Sequence, residues 1–370
     1  MKILRIVSRI IIGLVFIFSG VVKAIDPLGT AYKFHDYFQA FNLGFLNSLS
    51  LPLAMLLFTA EFISGISVLT GLRFKTGIWG TIILMTIFTP VTFILALTNP
   101  VSDCGCFGDA IHLTNWQTFG KNIVLVLFLL ILFKERDQFK KIQKRKIEWP
   151  VISVVIVLFI LFSLVNLRYL PVIDFLSYKK GVKIADKMVV PEGVLVDVYR
   201  TTFIYEKNGV KKEFSLNNYP SNDSSWKFID QKSVLIRKGY VPPIHDFQIT
   251  DQSGDNLTNE ILSNKGYSVL MISKKLSEAG GKYLTTGFGL GKYCIAKGIS
   301  FYVISSSGKD EIKSYENGLT FCSADETTLK TMVRANPGYI LLKDGVILNK
   351  WSWANVPGEG WFGKLSDNYK

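Results

Sequence analysis

Five apolar stretches, each about as long as a lipid bilayer is thick, restrict this chain more than any other feature. They run Ile3–Val22, Leu49–Leu72, Thr76–Thr98, Thr114–Phe133 and Trp149–Leu167. About 20 apolar residues in helical conformation cross a hydrocarbon core of about 30 Å. Backbone amides find no water there, so each stretch must satisfy its own hydrogen bonds as a helix. The third and fifth stretches carry no charge, whereas the second contains Glu61 and the fourth has Lys121 near its start. From that position a lysine can snorkel to the interface. A hydrophobic content of 49% and a mean hydropathy of +0.29 over 370 residues fit a chain that is part membrane-embedded and part water-exposed.

The net charge of +13 raises the question of nucleic acid, and its distribution answers it. From Gly181 onward 24 Lys and Arg face 20 Asp and Glu, whereas residues 1–180 hold 18 basic and 9 acidic residues. The basic surplus flanks the apolar stretches, the pattern that sets membrane topology. Lys2, Arg5 and Arg9, then Arg73 and Lys75, then "KERDQFKKIQKRKIE" between the last two spans all favour the cytoplasmic side. The expectation is a cytoplasmic N-terminus in a bacterial inner membrane, residues 169–370 in the periplasm or outside the cell, and no nucleic-acid partner. "FSGVVKAIDPLG" has no small-residue cleavage pattern, so the first stretch is expected to remain as a span.

The same topology puts the loop "NPVSDCGCFGDAIHLTN" outside, where disulfides persist. Cys104 and Cys106 stand one residue apart. A bond between them requires a bend that Gly105 permits at little steric cost, and a strained, exposed disulfide is a labile one. Three readings stay open: a reversible redox pair, a static disulfide or turn, and a thiolate metal clip. For the last, His112 is the one further ligand nearby. Glu61 is a candidate intramembrane acid, free to pair with Lys23 or Lys121. Lys23, Asp26 and Pro27 close the first span.

Beyond the last span, residues 169–241 read as a β-rich connector, with a hairpin turn at Asn208-Gly209. Tyr240-Val241-Pro242-Pro243 then opens a new unit. It contains short strands around Ser253-Gly254 and buried-type strands at Tyr267–Ser273 and Ile299–Ser306. A helix near Ala324–Arg334 and a hairpin around Asp344-Gly345 complete it. Parallel strands joined by a helix and closed by an antiparallel hairpin make a small α/β sandwich. That order resembles the thioredoxin fold, with Pro337 where that fold keeps its cis-proline. The departure lies after Tyr267–Ser273, where "KKLSEAGG" replaces Cys-x-x-Cys. Without a low-pKa thiolate at that position, the domain is expected to be a scaffold or binding unit. Cys294 and Cys322 could pair or remain two buried thiols. "GFGLGK" lacks the spacing and the Ser/Thr of a phosphate loop. His35, His112 and His245 form no zinc pattern.

"FSGVVKAIDPLG" on the first span, "EFISGISVLTG" on the second and "DCGCFGD" before the fourth resemble the DoxX/MauE group of redox-associated membrane proteins. The closest resemblance is to larger members that add a fifth span and a thioredoxin-like domain. The resemblance implies a four-helix membrane core and a role in handling electrons or disulfides for exported proteins. The expected organisation is a four-helix bundle over 1–135, a basic linker with the fifth span over 136–168, the connector over 169–241 and the thioredoxin-like domain over 242–370. The functional expectation is a reversible Cys104–Cys106 disulfide that passes electrons between a periplasmic partner protein and a membrane carrier such as a quinone. The surface around Pro337 would position the partner. No bound cofactor is identified. The alternatives are an assembly or chaperone factor with a static Cys104–Cys106 bridge and a transporter-like bundle worked by Glu61.

Overall fold

The computed structural model describes the chain apart from residues 1, 102, 139–144, 196–197, 208, 217, 221–222, 224, 238, 316–317 and 368–370. The hairpin residue Asn208 and the basic residues Lys140, Lys141 and Lys144 therefore lie outside the described residues.

The five apolar stretches form long helices. These are α1 (Lys2–Ile25), α3 (Ser50–Thr70), α4 (Phe74–Thr98), α5 (Asn115–Lys134) and α6 (Arg145–Tyr169). Between α1 and α3 lies a helix that hydropathy did not reveal, α2 (Pro27–Ala40). Asp26 caps it by accepting from the Gly29 amide at 2.8 Å, and Pro27 occupies the first turn, where a missing N–H costs nothing. Helices α1 and α3 meet backbone to backbone. A Cβ on Gly20 would stand 2.8 Å from the Phe58 carbonyl, and one on Gly65 would stand 2.7 Å from the Ile17 nitrogen. Small residues at such crossings let membrane helices approach closely enough for dispersion and polar contacts to hold them. Ile12, Phe16, Ile78, Met85 and Leu129 fill the space between the helices.

After α6 the chain enters a short helix, α7 (Ile184–Met188), and then a three-stranded antiparallel sheet of β1 (Val198–Lys207), β2 (Val210–Ser215) and β3 (Lys227–Arg237), in the order β2-β1-β3. Where the sequence suggested one β-rich connector from residue 169, the start of that segment packs elsewhere. Tyr178 and Ile184 lie in the core of the following domain, and Lys183 bridges to Val346 there.

That domain has the strands β4 (Thr250–Asp251), β5 (Tyr267–Ser273), β6 (Ser300–Ser305), β7 (Thr320–Ser323), β8 (Gly338–Lys343) and β9 (Val346–Ser352). They form one sheet in the order β4-β7-β6-β5-β8-β9. β5, β6 and β7 run parallel, and β8 and β9 form the antiparallel hairpin beside β5. Helices α9 (Gly281–Ala296), α10 (Lys309–Lys313) and α12 (Glu359–Asp367) send Leu284, Ile312 and Phe362 to one face. Helices α7, α8 (Thr258–Ser263) and α11 (Glu326–Met332) send Ile184, Ile261 and Leu329 to the other. A β5-α9-β6 crossover, a central β5 and a closing hairpin make this a thioredoxin-like domain. The Asn336–Pro337 peptide that leads into β8 is cis.

The two remaining cysteines lie on opposite faces of this sheet. Cys294 on α9 packs with Phe301 and Phe362, and Cys322 on β7 packs with Ile304 and Ile340. A pair between them is therefore corrected to two separate buried thiols, because alternate residues of a strand point to opposite faces and the sheet lies between the two sulfurs.

Candidate dithiol site at the end of the helix bundle

The loop between α4 and α5 is tied at both ends before its cysteines come into play. Asn115 donates to Asn99 Oδ1 and to the Val101 carbonyl, each at 2.8 Å, which closes the base of the loop. Thr114 and Gln117 form a capping box that starts α5. Gly105 and Gly108 adopt φ of +63° and +53°, conformations that residues with a Cβ avoid. At Gly105 a side chain would also meet Lys33, 2.9 Å away.

In this turn the sulfurs of Cys104 and Cys106 lie 2.7 Å apart as free thiols. Three side chains, those of Tyr37, Ser19 and Asp103, hold the peptide groups around them. Tyr37 on α2 donates to the Cys104 carbonyl at 2.5 Å, and Ser19 on α1 reaches the Cys106 carbonyl at 2.8 Å. The Gly105 amide donates to Asp103 at 2.5 Å, and Asp103 in turn meets Lys33 at 3.3 Å and His112 at 3.1 Å. Burial works against ionisation of Asp103. Even so, the His112 hydrogen bond, the Lys33 charge and the Gly105 amide hold its carboxyl down at about 2. His112 is raised by the same hydrogen bond.

The two thiols are not equivalent. The Cys106 thiol as hydrogen-bond partner is the main influence pulling Cys104 down to about 6, with the Lys121 ammonium adding to it and burial opposing it. Cys106 moves in the opposite direction, raised by its role as that partner and by burial. One thiolate stabilised by a neighbouring thiol is the usual arrangement of a reactive dithiol. Lys121 reaches toward the loop end of the bundle, its ammonium 4.5 Å from the centre of the Phe107 ring. The attraction of the ring face offsets part of the cost of withdrawing that charge from water.

Both cysteines line a cavity of about 260 Å³ inside the bundle, walled by apolar and aromatic side chains that include Phe16, Phe34, Phe88 and Leu125. A small polar group lies in its wall. Lys23 donates to Glu61 at 2.7 and 2.8 Å and to the Ser19 hydroxyl at 2.9 Å, and the Lys23 and Glu61 side chains are only 4% and 2% exposed. Of the two partners open to Glu61 from the sequence, the structure therefore selects Lys23. Such a pair persists in an apolar medium only with close geometry and additional hydrogen bonds, and Ser19 contributes to both. Among the described residues no three His, Cys, Asp or Glu side chains gather as a metal site.

Asp26 and Pro337 belong to a second junction. Arg334, separated from the cis Asn336–Pro337 peptide by Ala335, donates to Asp26 at 2.8 Å and to Asp109 at 2.6 Å. Lys274 donates to the Tyr32 hydroxyl and stacks on the Tyr32 ring with Lys330 and Arg334 around it. Burial chiefly lowers Lys274, to about 8, with the Lys330 charge adding to the effect. Lys274 and Lys275 occupy the place where a thioredoxin carries its Cys-x-x-Cys. The expectation that the surface around Pro337 is open to a partner is corrected accordingly. Pro337 is buried, and the residues beside it contact the chain's own helix bundle. Sequence reasoning missed Ser19, Tyr37 and Arg334. Ser19 and Tyr37 read as ordinary helix residues, and Arg334 meets partners more than 200 positions away.

Comparison with known proteins divides the chain along the same lines. Residues 1–134 match the family model described as methylamine utilisation protein MauE. Residues 199–238, the three-stranded sheet, match a domain of unknown function, DUF8463. Protein TlpB of Flavobacterium psychrophilum is 32% identical over 131 residues, which is 34% of this chain and 35% of that protein, so the chain spans about a third of the length of the curated relative it matches. A solution structure from Bacteroides thetaiotaomicron, provisionally named a protein disulfide isomerase, covers 34% of this chain and 83% of its own, at 17% identity and a TM-score of 0.26. The bundle carries the MauE match and the sheet order carries the thioredoxin-like assignment: the chain is a MauE-like membrane protein with a thioredoxin-like domain.

Proposed function

We propose that this protein performs thiol–disulfide chemistry at the membrane surface, with Cys104 and Cys106 cycling between dithiol and disulfide. The observation that carries the reading is the position of the two sulfurs, 2.7 Å apart at the wall of an apolar cavity inside the bundle. The loop lies at the opposite end of the bundle from the basic segment between α5 and α6. By the positive-inside rule that puts the dithiol on the periplasmic or extracellular side, where a cysteine pair of an exported protein is the natural exchange partner. The match of residues 1–134 to the MauE family model and the resemblance to a Flavobacterium protein support a bacterial membrane setting.

Oxidation of the pair removes two electrons. Cys104 begins as the thiolate, its proton already given to water, so Cys106 supplies one proton of the hydroquinone and water supplies the other. The acceptor that suits an apolar cavity is a lipid-soluble quinone, which leaves as hydroquinone while an S–S bond forms. Phe34, Phe88 and Phe107 offer ring faces, and Lys121 and Asn122 offer donors to a carbonyl oxygen. The thioredoxin-like domain lacks a dithiol of its own and serves as a scaffold fixed to the bundle.

The test uses purified full-length protein in bilayer nanodiscs, reduced and then mixed with a short-chain ubiquinone. One hydroquinone is expected for each Cys104–Cys106 disulfide formed, and Cys104→Ser and Cys106→Ser should each abolish the reaction. If the pair oxidises without quinone reduction, the acceptor is wrong. If the pair never oxidises, the redox assignment falls; if it is a disulfide that cannot be reduced, the assignment gives way to the assembly-factor reading.

A further inference from the structure

Ser19 and Tyr37 have no place in the electron path, yet each ends on one side of the dithiol. Their hydroxyls hold the carbonyls of the two cysteines, Tyr37 that of Cys104 at 2.5 Å and Ser19 that of Cys106 at 2.8 Å. They come from different helices, α2 and α1, so the loop is gripped from two sides. The Ser19 hydroxyl has one proton and two acceptors for it, the Cys106 carbonyl and Glu61 Oε2 at 3.0 Å. Lys23 occupies a lone pair of the same oxygen at 2.9 Å. The buried Lys23–Glu61 pair thus orients a hydroxyl that reaches the redox loop.

We infer that Ser19 and Tyr37 are positioning residues that set the dithiol–disulfide equilibrium of Cys104 and Cys106 by holding the carbonyls of the two cysteines. The inference rests on the redox reading above. The held turn already brings the two sulfurs to 2.7 Å, inside the contact distance of two unbonded sulfurs. Bonding two cysteines separated by one residue requires the chain to bend, and the two hydroxyls hold it in that bend. Contacts that favour the bent form stabilise the disulfide and make it less oxidising. The two contacts therefore favour the disulfide, and removing either one favours the dithiol.

The experiment is an equilibrium titration of the full-length protein in nanodiscs against mixtures of reduced and oxidised glutathione, read by alkylation and mass spectrometry. In that reaction the protein dithiol and one glutathione disulfide give the protein disulfide and two glutathione thiols. Ser19→Ala and Tyr37→Phe should each shift the equilibrium constant toward dithiol by roughly three- to tenfold, the range for loss of one hydrogen bond; tenfold corresponds to about 30 mV. Ser8→Ala is the control, because Ser8 is buried but bonds only the Leu4 carbonyl of its own helix. Tyr37 lies outside the spans, so Tyr37→Phe keeps the test open if Ser19→Ala impairs folding. Equilibria within twofold of the parent in a pair that titrates, or an equal shift in Ser8→Ala, overturn the inference alone. A pair that does not titrate overturns it together with the redox reading.

Discussion

In the proposed chemistry Cys104 would owe its reactivity to its neighbours: a cysteine two positions on, a lysine one helix away and a turn that favours glycine. Its thiol, held down at about 6 chiefly by the Cys106 hydrogen bond, predicts a particular alkylation profile. A depressed thiol is already thiolate above its pKa, so labelling of Cys104 by iodoacetamide should rise through about pH 6 and level off by pH 7.5. An ordinary cysteine would still be climbing toward pH 9. Peptide mass spectrometry after brief labelling reads this directly. Cys294 and Cys322, pushed up to about 12 chiefly by burial, should remain unlabelled over the same range. A Cys104 profile centred near pH 9 would remove the claim of an activated thiol.

At the scale of elements, the bundle is held by close glycine crossings between α1 and α3 and by the Lys23–Glu61 pair that links them. Removing one partner of a buried pair strands a charge and typically costs about 3–5 kcal/mol, whereas replacing both with apolar residues costs far less. Lys23→Met alone should therefore lower the thermal transition of the detergent-solubilised protein substantially, and Lys23→Met/Glu61→Met should recover most of the loss. Equal losses in the single and double variants would mean that the pair contributes through packing. The spanning helices were legible in the sequence because a membrane imposes length and hydropathy on each of them separately. Helix α2 was not, because "PLGTAYKFHDYFQA" is short and mixed in polarity and takes its helical form from the Asp26 cap and from packing on α3. The Cys104–Gly105–Cys106 turn was legible as a bend, since glycine between the two cysteines permits one at little steric cost. Which hydroxyls hold it depends on helix rotation, which sequence periodicity does not resolve in segments apolar on all sides.

Across the whole molecule, α2 connects two domains that the sequence presents as separate. Asp26 and Tyr32 face the thioredoxin-like domain, while Lys33 and Tyr37 face the dithiol loop. The side of the thioredoxin fold that includes its cis-proline is thereby occupied within the chain, clamped by Arg334 on Asp26 and Asp109. Arg334→Ala leaves both carboxylates without this partner in a junction where the arginine is only 6% exposed. The thioredoxin-like domain should then detach, seen as faster limited proteolysis between residues 170 and 190 in nanodiscs with the bundle intact. Unchanged cleavage would show that the junction is held by other contacts. The Arg334 contacts could not be read from sequence, because Asp26 and Asp109 are unremarkable until folding brings the two domains together.

The central claim is that Cys104 and Cys106 form a working dithiol, and their redox state in living cells tests it most directly. Intact cells that express the full-length chain are quenched in acid and labelled with a mass-shifting maleimide after denaturation. The account predicts a mixture of reduced and disulfide-bonded Cys104/Cys106 that moves toward the reduced form when respiration is blocked. A pair found wholly oxidised under every condition, in cells where Cys104→Ser/Cys106→Ser leaves function intact, would contradict it.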